Sequence, residues 1–413
     1  MIALAKIAFR NLLRNRRRAF FTALAISLGF AAVNLFGGFA NYMYSGSREM
    51  AIYGRCIGHL VVFKEGFLEK GLLDPGRYLI NPKELKTIRD ICRKMPQVDL
   101  VAPHLNISGL VTNGKVSTIF IAQGIAPSSV DVFMGRTVQS IREYDGKKLE
   151  DSQMYGVALA RGLAKLLDLK VGSDAVAFTN TVEGQMNALD MEVFQLFDTE
   201  SDTMNDKVMR VPLQFAQTLY DTESVDRVAI LLSKHEDTIP IRDELQRLLS
   251  ENLPGFEVKT WREMSQWHRK VKEMFDVIFV FLFIIVFVIV ITSVVNTMSM
   301  AVIERTREIG TLRALGLRRS GVTTLFAIES FLLALLGTLG GLILTLSGSW
   351  IVDIIRPTWV PPAITKRVPI MINLSWDQMF FSFIFLIILC LVASLLPARR
   401  AARQNVVNAL GHI

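Results

Sequence analysis

The chain has 413 residues, of which 51% are hydrophobic and only 20% are charged, and its mean hydropathy is +0.36. This composition is too apolar for an average soluble protein of the same length and predicts a membrane protein. The net charge of +8 does not indicate nucleic-acid binding, because the arginines cluster beside apolar runs, where orientation in a bilayer accounts for them. Three widely spaced cysteines argue against a zinc site or a disulfide-rich scaffold and leave at most one disulfide, Cys56 to Cys92.

Four apolar segments are long enough to cross a hydrocarbon core, which takes about 20 residues. They run approximately over 19–42, 275–298, 322–352 and 379–397. The first follows the basic string RNRRR as a secretory signal would, but it is long and lacks a convincing cleavage site, so we interpret it as an uncleaved anchor. Between 45 and 273, short alternating apolar runs separated by Gly, Pro and Asp predict a mixed α/β domain with its own core.

The predicted fold class is therefore a membrane α-helical protein with four transmembrane helices and a large mixed α/β domain between the first and second helices. The predicted boundaries are a basic amphipathic segment over 1–18, the first span and the start of a stalk over 19–44, the α/β domain over 45–273, the second span over 274–301, a loop with a helix over 302–321, the third span over 322–352, an outer loop over 353–378, the fourth span over 379–397 and a tail over 398–413.

Lysines and arginines in the short connections predict the orientation of the chain. Six precede the first span, five lie between the second and third spans, and three follow the fourth, whereas the connection 353–378 has three in a longer stretch. Four crossings place both termini on the same side as the basic loop. We expect that side to be the cytoplasm and the α/β domain to be extracytoplasmic.

A dense stretch of charge, ERTREIGTLRALGLRR, Glu304–Arg319, lies between two of the most apolar segments of the chain. At 100° per residue this string forms a helix on which Glu304, Glu308 and Leu315 share one face. One interpretation is a solvated loop with i,i+3 ion pairs, each contributing about 0.2 to 0.5 kcal/mol. The other is a protein-binding helix, because two glutamates on one face repel unless basic groups meet them, and Leu315 extends that face as an apolar contact.

The segment before the second span, EVKTWREMSQWHRKVKEMF, contains no Pro or Gly and predicts one helix that continues into the membrane. Two interpretations stay open: a helix anchored by tryptophans at the headgroups, or a rigid stalk that carries displacement outward at ~1.5 Å per residue. Aromatic residues and methionines at the first-span exit and the second-span entry are either an ordinary aromatic belt or a lateral opening for apolar cargo. The residues of this stalk and opening are Phe36, Phe39, Met43, Trp261, Trp267, Met274 and Phe275.

Glu329 lies about 10 Å into the third span by helical rise, where an ionised group would cost on the order of 2.5 to 3.5 kcal/mol. We expect it to pair with Arg319 or with the cluster 16–18, or to act as a hinge or proton carrier. Gly337 and Gly341 form a GxxxG step that permits close helix approach within one chain or at a dimer seam, and Asn34 is a candidate for an interhelical hydrogen bond.

No catalytic constellation stands out, since the five histidines are scattered and the acidic residues of the α/β domain follow turns and helix faces. We therefore predict no catalytic residues and no metal site. A membrane-anchored enzyme with an extracytoplasmic active site is the alternative from another class.

The string VIERTREIGTLRALG, Val302–Gly316, is followed by Glu329 and the glycines at 337, 340 and 341. This combination resembles the signature of FtsX-like permeases of ABC transporters, the MacB-fold or type VII class, and the order of elements is similar as well. Two stretches of the α/β domain are similar to the periplasmic domains of lipoprotein-releasing (LolC/LolE-type) permeases: VAPHLNISGLVTNGKVSTIFIAQGIAP, 101–127, and ALARGLAKLLDLKV, 158–171.

The resemblance implies that the segment 304–319 is a coupling helix that docks on a separate ABC ATPase subunit. The residues that it marks for this contact are Glu304, Arg305, Arg307, Glu308, Leu312, Arg313 and Leu315. No G-x-x-x-x-G-K-[ST] string occurs, so we expect ATP and Mg to be bound by the partner ATPase and no cofactor by this chain. The implied assembly is two permeases, identical or paralogous, on an ATPase dimer in a bacterial inner membrane, with a periplasmic carrier or outer-membrane component as a further candidate partner.

The implied function is that of a mechanotransmitter, which passes ATP-driven movement through the stalk to the outer domain for lipoprotein or lipid extraction or export. Efflux of small molecules or peptides, and regulation of cell-wall hydrolases by an FtsX-like subunit, are the alternatives within the family. Fold-level analogy does not fix the substrate.

Overall fold

The structure is a computed structural model that describes residues 2–71, 73–137, 144–199, 202–360 and 367–404. The chain forms two compact units. The membrane unit comprises Met1–Tyr44, Val271–Thr358 and Pro369–Ile413, and the outer domain comprises Ser45–Lys270 and Trp359–Val368.

In chain order the helices are α1 Ile2–Arg14, α2 Arg16–Glu49, a π-helical turn Met50–Gly54, α3 Phe67–Lys70, α4 Pro75–Tyr78, α5 Pro82–Cys92, α6 Pro127–Gly135, α7 Arg161–Leu166, α8 Asp202–Asn205, α9 Leu213–Tyr220, α10 Thr238–Asn252, α11 Trp261–Met264, α12 Gln266–Glu304, α13 Thr306–Ala314, α14 Arg319–Ile355 and α15 Trp376–Arg403. The strands are β1 Leu60–Lys64, β2 Val98–Thr112, β3 Ser117–Ile125, β4 Tyr144–Gly146, β5 Gly156–Ala160, β6 Asp174–Asn180, β7 Met186–Phe197, β8 Val208–Val211, β9 Arg227–Leu232, β10 Phe256–Thr260, β11 Thr358–Trp359 and β12 Val368–Pro369.

Four helices of the described chain are long and apolar enough to cross a membrane, which confirms the predicted number of spans. They are α2 with its π-helical turn, α12, α14 and α15. Each helix begins before and ends after its predicted span, because polar residues at the ends continue the helix although they fall outside the apolar run.

The core of the membrane unit is formed by side chains from α2, α12, α14 and α15, including Phe30, Val290, Phe326 and Cys390. Hydroxyl groups add hydrogen bonds between these helices. The Thr22 and Thr297 hydroxyl oxygens lie 2.6 Å apart, and the Ser330 hydroxyl donates to the Cys390 carbonyl oxygen at 2.8 Å. Small polar side chains therefore hold the helices together where apolar packing alone gives little preference over lipid.

The outer domain is built on one mixed sheet, as predicted for a mixed α/β domain. The strand order is β10-β1-β9-β2-β3-β8-β5-β7-β4, and β6 pairs with β2 and β7. The pairs β3–β8 and β5–β7 are parallel. The antiparallel pairs are β1–β10, β1–β9, β2–β3, β2–β6, β2–β9, β4–β7, β5–β8 and β6–β7. The long strand β2 joins the two halves, since its first part pairs with β9 and its second part with β3.

Helices cover this sheet and bury its apolar positions in separate clusters. Helix α5 begins with a capping box, in which the Asn81 side chain accepts from the Glu84 N–H and the Glu84 carboxylate accepts from the Asn81 N–H. Such a box satisfies backbone donors that a helix start leaves without partners. Cys56 and Cys92 lie in two different clusters as buried free thiols, so they do not form the disulfide that spacing alone had left open.

The helix predicted over 257–275 is wrong at its start, where residues 257–260 belong to strand β10, and is interrupted further on. Helix α11 ends at Met264, Ser265 has φ −93° and ψ 86°, and α12 begins at Gln266. The Ser265 hydroxyl accepts from the His268 N–H at 3.3 Å, so this serine caps the start of α12. Serine is a favoured helix cap as well as a tolerated helix residue, and the absence of Pro and Gly was therefore too weak a criterion for one continuous helix.

Candidate functional site

Helix α13 follows α12 after a break of one residue. Arg305 occupies the break with φ −115° and ψ 19°, and its carbonyl oxygen accepts from the Ile309 N–H at 2.9 Å. The Thr306 hydroxyl donates to the Val302 carbonyl oxygen at 3.0 Å across the same joint. Ile309 and Gly310 are buried on the inner face of α13, and Gly316, at φ +95°, ends the segment in a conformation that favours glycine.

The outer face of α13 exposes a charged and apolar surface. Glu304, Arg307, Glu308 and Leu315 are exposed, and the Leu315 side chain is exposed to 81%. Leu312 and Arg313 are half-buried. The Arg313 guanidinium donates to the Gln404 carbonyl oxygen, which ties the end of α13 to the segment after α15. Three of the seven residues predicted for partner contact, Arg307, Glu308 and Leu315, are thus exposed along α13 and its end, and Glu304 is exposed at the end of α12.

Basic side chains of the same chain already meet the two glutamates of this face. An Arg14 guanidinium nitrogen lies 2.9 Å from a Glu308 carboxylate oxygen, and the equivalent Arg18–Glu304 distance is 2.5 Å. Basic groups of this chain, from the basic string before the first span, thus meet the two charges for which the protein-binding interpretation had invoked a partner. Both pairs are exposed and contribute about 0 to 1 kcal/mol each, so they leave the face open to exchange of partners.

Arg305 does not belong to the exposed face, although it was predicted as a contact residue. Its side chain is only 6% exposed, and a guanidinium nitrogen lies 2.7 Å from a carboxylate oxygen of Glu329, which is 2% exposed. Its position at the break between two helices turns it inward, a change of direction that a uniform 100° projection does not anticipate.

Glu329 is paired, as expected for an acidic residue in this position, but with other partners than those predicted. The Arg305 guanidinium and the Asn11 amide both donate to the same carboxylate oxygen, at 2.7 and 2.6 Å. Neither Arg319 nor the cluster 16–18 is its partner. The two partners come from segments 318 and 24 residues away, and no local pattern in the sequence joins them.

The predicted GxxxG step packs within the chain. A Cβ at Gly337 would lie 2.7 Å from Ile26 Cβ, and a Cβ at Gly341 would lie 2.6 Å from Phe30 Cβ, so α14 contacts α2 through these glycines. Asn34, predicted for the same role, is buried on α2. Its amide donates to the Phe30 carbonyl oxygen at 2.8 Å, and its side-chain oxygen accepts from the Ser382 hydroxyl at 3.0 Å.

The predicted lateral opening is partly closed by aromatic packing. Phe275 is buried, and its ring centroid lies 5.7 Å from that of Phe39 and 6.1 Å from that of Phe36. Met274 is 51% exposed, whereas Met43 is half-buried. Trp267 is half-buried as well. Of these residues, Met274 is therefore the best placed to meet an apolar molecule.

Trp261 lies in the core of the outer domain and not on a stalk face. Its ring centroid is 4.7 Å from that of His268 and 5.6 Å from that of His235, which in turn lies 5.9 Å from His59. Three histidines that are scattered in the sequence are thus brought together. Burial, and then the neighbouring His235, lower the pKa of His59 to about 4, and its Nδ1 accepts from the Leu232 N–H at 3.1 Å, so this ring is a neutral part of the core.

Comparison with known proteins agrees with this architecture. The model of the MacB-like periplasmic core domain matches residues 19–248, more than half of the chain, and that of the FtsX-like permease C-terminal region matches 278–406. The chain belongs to the FtsX-like, MacB-like family of ABC transporter permeases.

Relatives of this permease cover almost all of its sequence. An uncharacterized ABC transporter permease of Methanocaldococcus jannaschii is 22% identical over an alignment of 419 positions, which covers 98% of this chain and 96% of the relative. The macrolide export ATP-binding/permease protein MacB of Campylobacter jejuni is 22% identical over an alignment of 421 positions, which again covers 98% of this chain but only 60% of the relative. The extracellular domain of the noncanonic ABC-type transporter YknZ from Gram-positive bacteria aligns with 49% of this permease and 99% of that domain, at 18% identity and a TM-score of 0.35.

Proposed function

We propose that this permease couples ATP hydrolysis by a separate subunit to mechanical work in the outer domain. The observation that carries the proposal is the exposed face of α13, formed by Arg307, Glu308 and Leu315, on a helix that is fixed from behind. Buried Arg305 holds the start of that helix and the Arg313–Gln404 bond holds its end. A force applied to this face therefore reaches the membrane helices instead of bending a loop.

The proposed assembly has two permeases, identical or paralogous, on a dimer of ABC ATPase subunits that bind ATP and Mg. Both termini and α13 lie in the cytoplasm, and the membrane is the inner membrane of a bacterial cell. Charge bias supports this orientation, and the ATP-binding/permease name of the Campylobacter relative supports an ABC ATPase as partner. A periplasmic carrier or outer-membrane component would complete the path of a released cargo.

Charge reversal on the exposed face tests the coupling. Glu308→Lys removes a surface ion pair that contributes less than about 1 kcal/mol, so the variant is expected to remain a stable membrane protein. It should lose binding of the purified partner ABC ATPase subunit, or should lose transport-linked ATP hydrolysis. Glu251→Lys, an exposed site on α10, makes the same charge change away from the face and should behave as the parent. Unchanged binding and turnover in Glu308→Lys would refute the proposal.

For the cargo we propose an amphiphile, with lipoprotein or lipid extraction as the main case because of the two stretches similar to lipoprotein-releasing permeases. Each buried CH₂ of a lipid chain contributes about 0.8 kcal/mol, so such a cargo needs apolar surface at the membrane end of the permease. Exposed Met274 offers that surface. The name of the Campylobacter relative favours a second candidate, export of a macrolide-like small molecule.

A photocrosslinker at position 274 separates these cargoes. Crosslinks to a lipoprotein that ATP turnover removes would support extraction. Crosslinks only to bulk phospholipid, unchanged by ATP, would contradict extraction and favour entry of a small molecule from the aqueous side. The same probe at position 275, which is buried, controls for labelling that does not depend on exposure.

A further inference from the structure

Four helices of the membrane unit meet at one carboxylate. Glu329 belongs to α14, Asn11 to α1, and Arg305 separates α12 from α13. Both charged side chains are almost completely buried within the chain itself, at 2% and 6% exposure. Ala8 of α1 is fully buried, whereas Arg10, two residues further along, is exposed. Helix α1 therefore packs against this unit through the side that carries Ala8, close to Asn11.

Stability does not explain why this site is ionic. A buried ion pair pays a desolvation cost that its attraction often fails to recover, and well-packed apolar residues in its place are often neutral or stabilising. Breaking one partner, however, leaves an uncompensated buried charge. The polar arrangement does fix the orientation of these side chains, because the Arg305 guanidinium and the Asn11 amide both donate to one oxygen atom of Glu329.

The fixed orientation of the Arg305 side chain matters because Arg305 lies at the joint between α12 and α13. Helix α12 stops at Glu304 and α13 starts at Thr306, so the only residue free to set the angle between them is the one whose side chain Glu329 holds. The exposed pairs on either side of this joint, Arg14–Glu308 and Arg18–Glu304, lie at the surface and exchange readily with water. They do not provide a comparable constraint.

We propose that Glu329, through Arg305 and Asn11, fixes the angle at which α13 leaves α12 and makes α13 and α14 move as one body. Glu329 and Arg305 are then positioning residues, which act on coupling without contacting the ATPase. This inference rests on the proposed function of α13, but the constraint itself can be measured on the permease alone.

The experiment measures one distance by double electron–electron resonance in the full chain, reconstituted without any ATPase. Spin labels at exposed Thr311 on α13 and exposed Leu336 on α14 report the relation of these helices, and the three native cysteines are buried. The parent is expected to give a single narrow distance distribution. Glu329→Gln and Asn11→Ala should broaden it, with the larger effect for Glu329→Gln.

A double variant separates positioning from folding. Arg305→Met/Glu329→Met removes both charges and keeps the volume apolar, so it should fold where a single replacement is destabilised. The proposal expects its distance distribution to stay broad, while retention of the narrow parental distribution would overturn it. Arg14→Gln/Glu308→Gln, which removes an exposed pair between α1 and α13, is the control and should leave the distribution unchanged.

ATPase binding then distinguishes the two levels of inference. If the parent fails to bind the ATPase subunit, the proposed function of α13 fails whatever the distance shows. If the parent binds and couples but the double variant keeps both its narrow distribution and its coupling, only the positioning role fails. A double variant that binds the ATPase but no longer couples hydrolysis to work would support both.

Discussion

Gly341 of α14 lies so close to Phe30 of α2 that a Cβ at position 341 would be 2.6 Å from Phe30 Cβ and 2.9 Å from the Ser27 carbonyl oxygen. No rotamer change relieves these contacts, since one is to backbone and the other to the first atom of a side chain. The two helices must therefore separate if any larger residue occupies the position.

We expect Gly341→Ala to destabilise the membrane unit by about 1 to 3 kcal/mol, the range for overpacking a tight contact. Thermal unfolding of the detergent-solubilised chain measures it. Gly46→Ala is the control: nothing lies within 4 Å of a Cβ there, so a helical alanine should be neutral or slightly stabilising. Equal melting temperatures for the two variants would show that α2 and α14 are not in this contact.

The buried histidines predict loss of outer-domain stability in acid. Burial lowers the pKa of His59 to about 4 and that of His104 to about 3, below the unfolded value of 6.5. The unfolded chain therefore binds more protons than the folded chain below pH 6.5, and stability is present above that pH and falls as the pH drops towards 4. For His59 the loss is on the order of 3 kcal/mol.

Hydrogen exchange of the β9 peptide between pH 7 and pH 4.5, corrected for the intrinsic exchange rate, tests this. His59→Asn keeps an acceptor for the Leu232 N–H but cannot be protonated, so it should flatten the pH dependence. If exchange in the His59→Asn variant depended on pH as steeply as in the parent, other groups would be responsible for the loss of stability in acid.

Stiffness of α12 gives a third prediction. Lys270 and Lys272 are exposed, and glycine at both positions costs about 1 kcal/mol each in helix stability without removing a buried contact. We expect Lys270→Gly/Lys272→Gly to keep ATPase binding but to lose the ATP-driven change in protease sensitivity of the outer domain. Lys270→Ala/Lys272→Ala removes the same charges and keeps the helix, so it should respond normally; equal responses would mean that force does not travel through this segment.

Orientation is tested by cysteine labelling with an impermeant maleimide. Exposed Glu150 and Arg307 are suitable positions, whereas Ile230 is buried in β9 and would not react on either side. Glu150→Cys should label from the extracytoplasmic side and Arg307→Cys only after permeabilisation. The native cysteines are buried, so the parent is the blank. Labelling of position 307 from the extracytoplasmic side of intact membranes would show that the predicted orientation is wrong.

Patterns repeated along the chain made most of the fold predictable. Apolar runs of about 20 residues and basic connections are one-dimensional signals, and they led to the four spans and the α/β domain between the first two. The exposed face of α13 follows from the same kind of signal, since the helical period alone brings Glu308 and Leu315 together.

Such patterns do not predict the conformation of single residues that can either continue a helix or end it. Ser265 caps α12 where a helix seemed to continue, and Arg305 turns inward because the chain breaks at that point. Prediction of the partners of Glu329 would have required knowledge of which helices pack together. The ring contacts from His59 to His235 and from His235 to Trp261 likewise form only through tertiary structure. Pairs that are close in space and far apart in sequence carry no periodic signal.

The hydrogen bond between Ser382 and Asn34 also has a consequence in time. Its partners are 348 residues apart, and at about 5 to 20 residues per second the ribosome needs roughly 20 to 70 s to add the serine after the asparagine. Throughout that interval the Asn34 side-chain oxygen lacks the hydrogen bond that the Ser382 hydroxyl donates to it in the finished protein. Biosynthesis of this permease therefore passes through a long-lived stage in which the first membrane helix has been made and α15, which carries Ser382, has not.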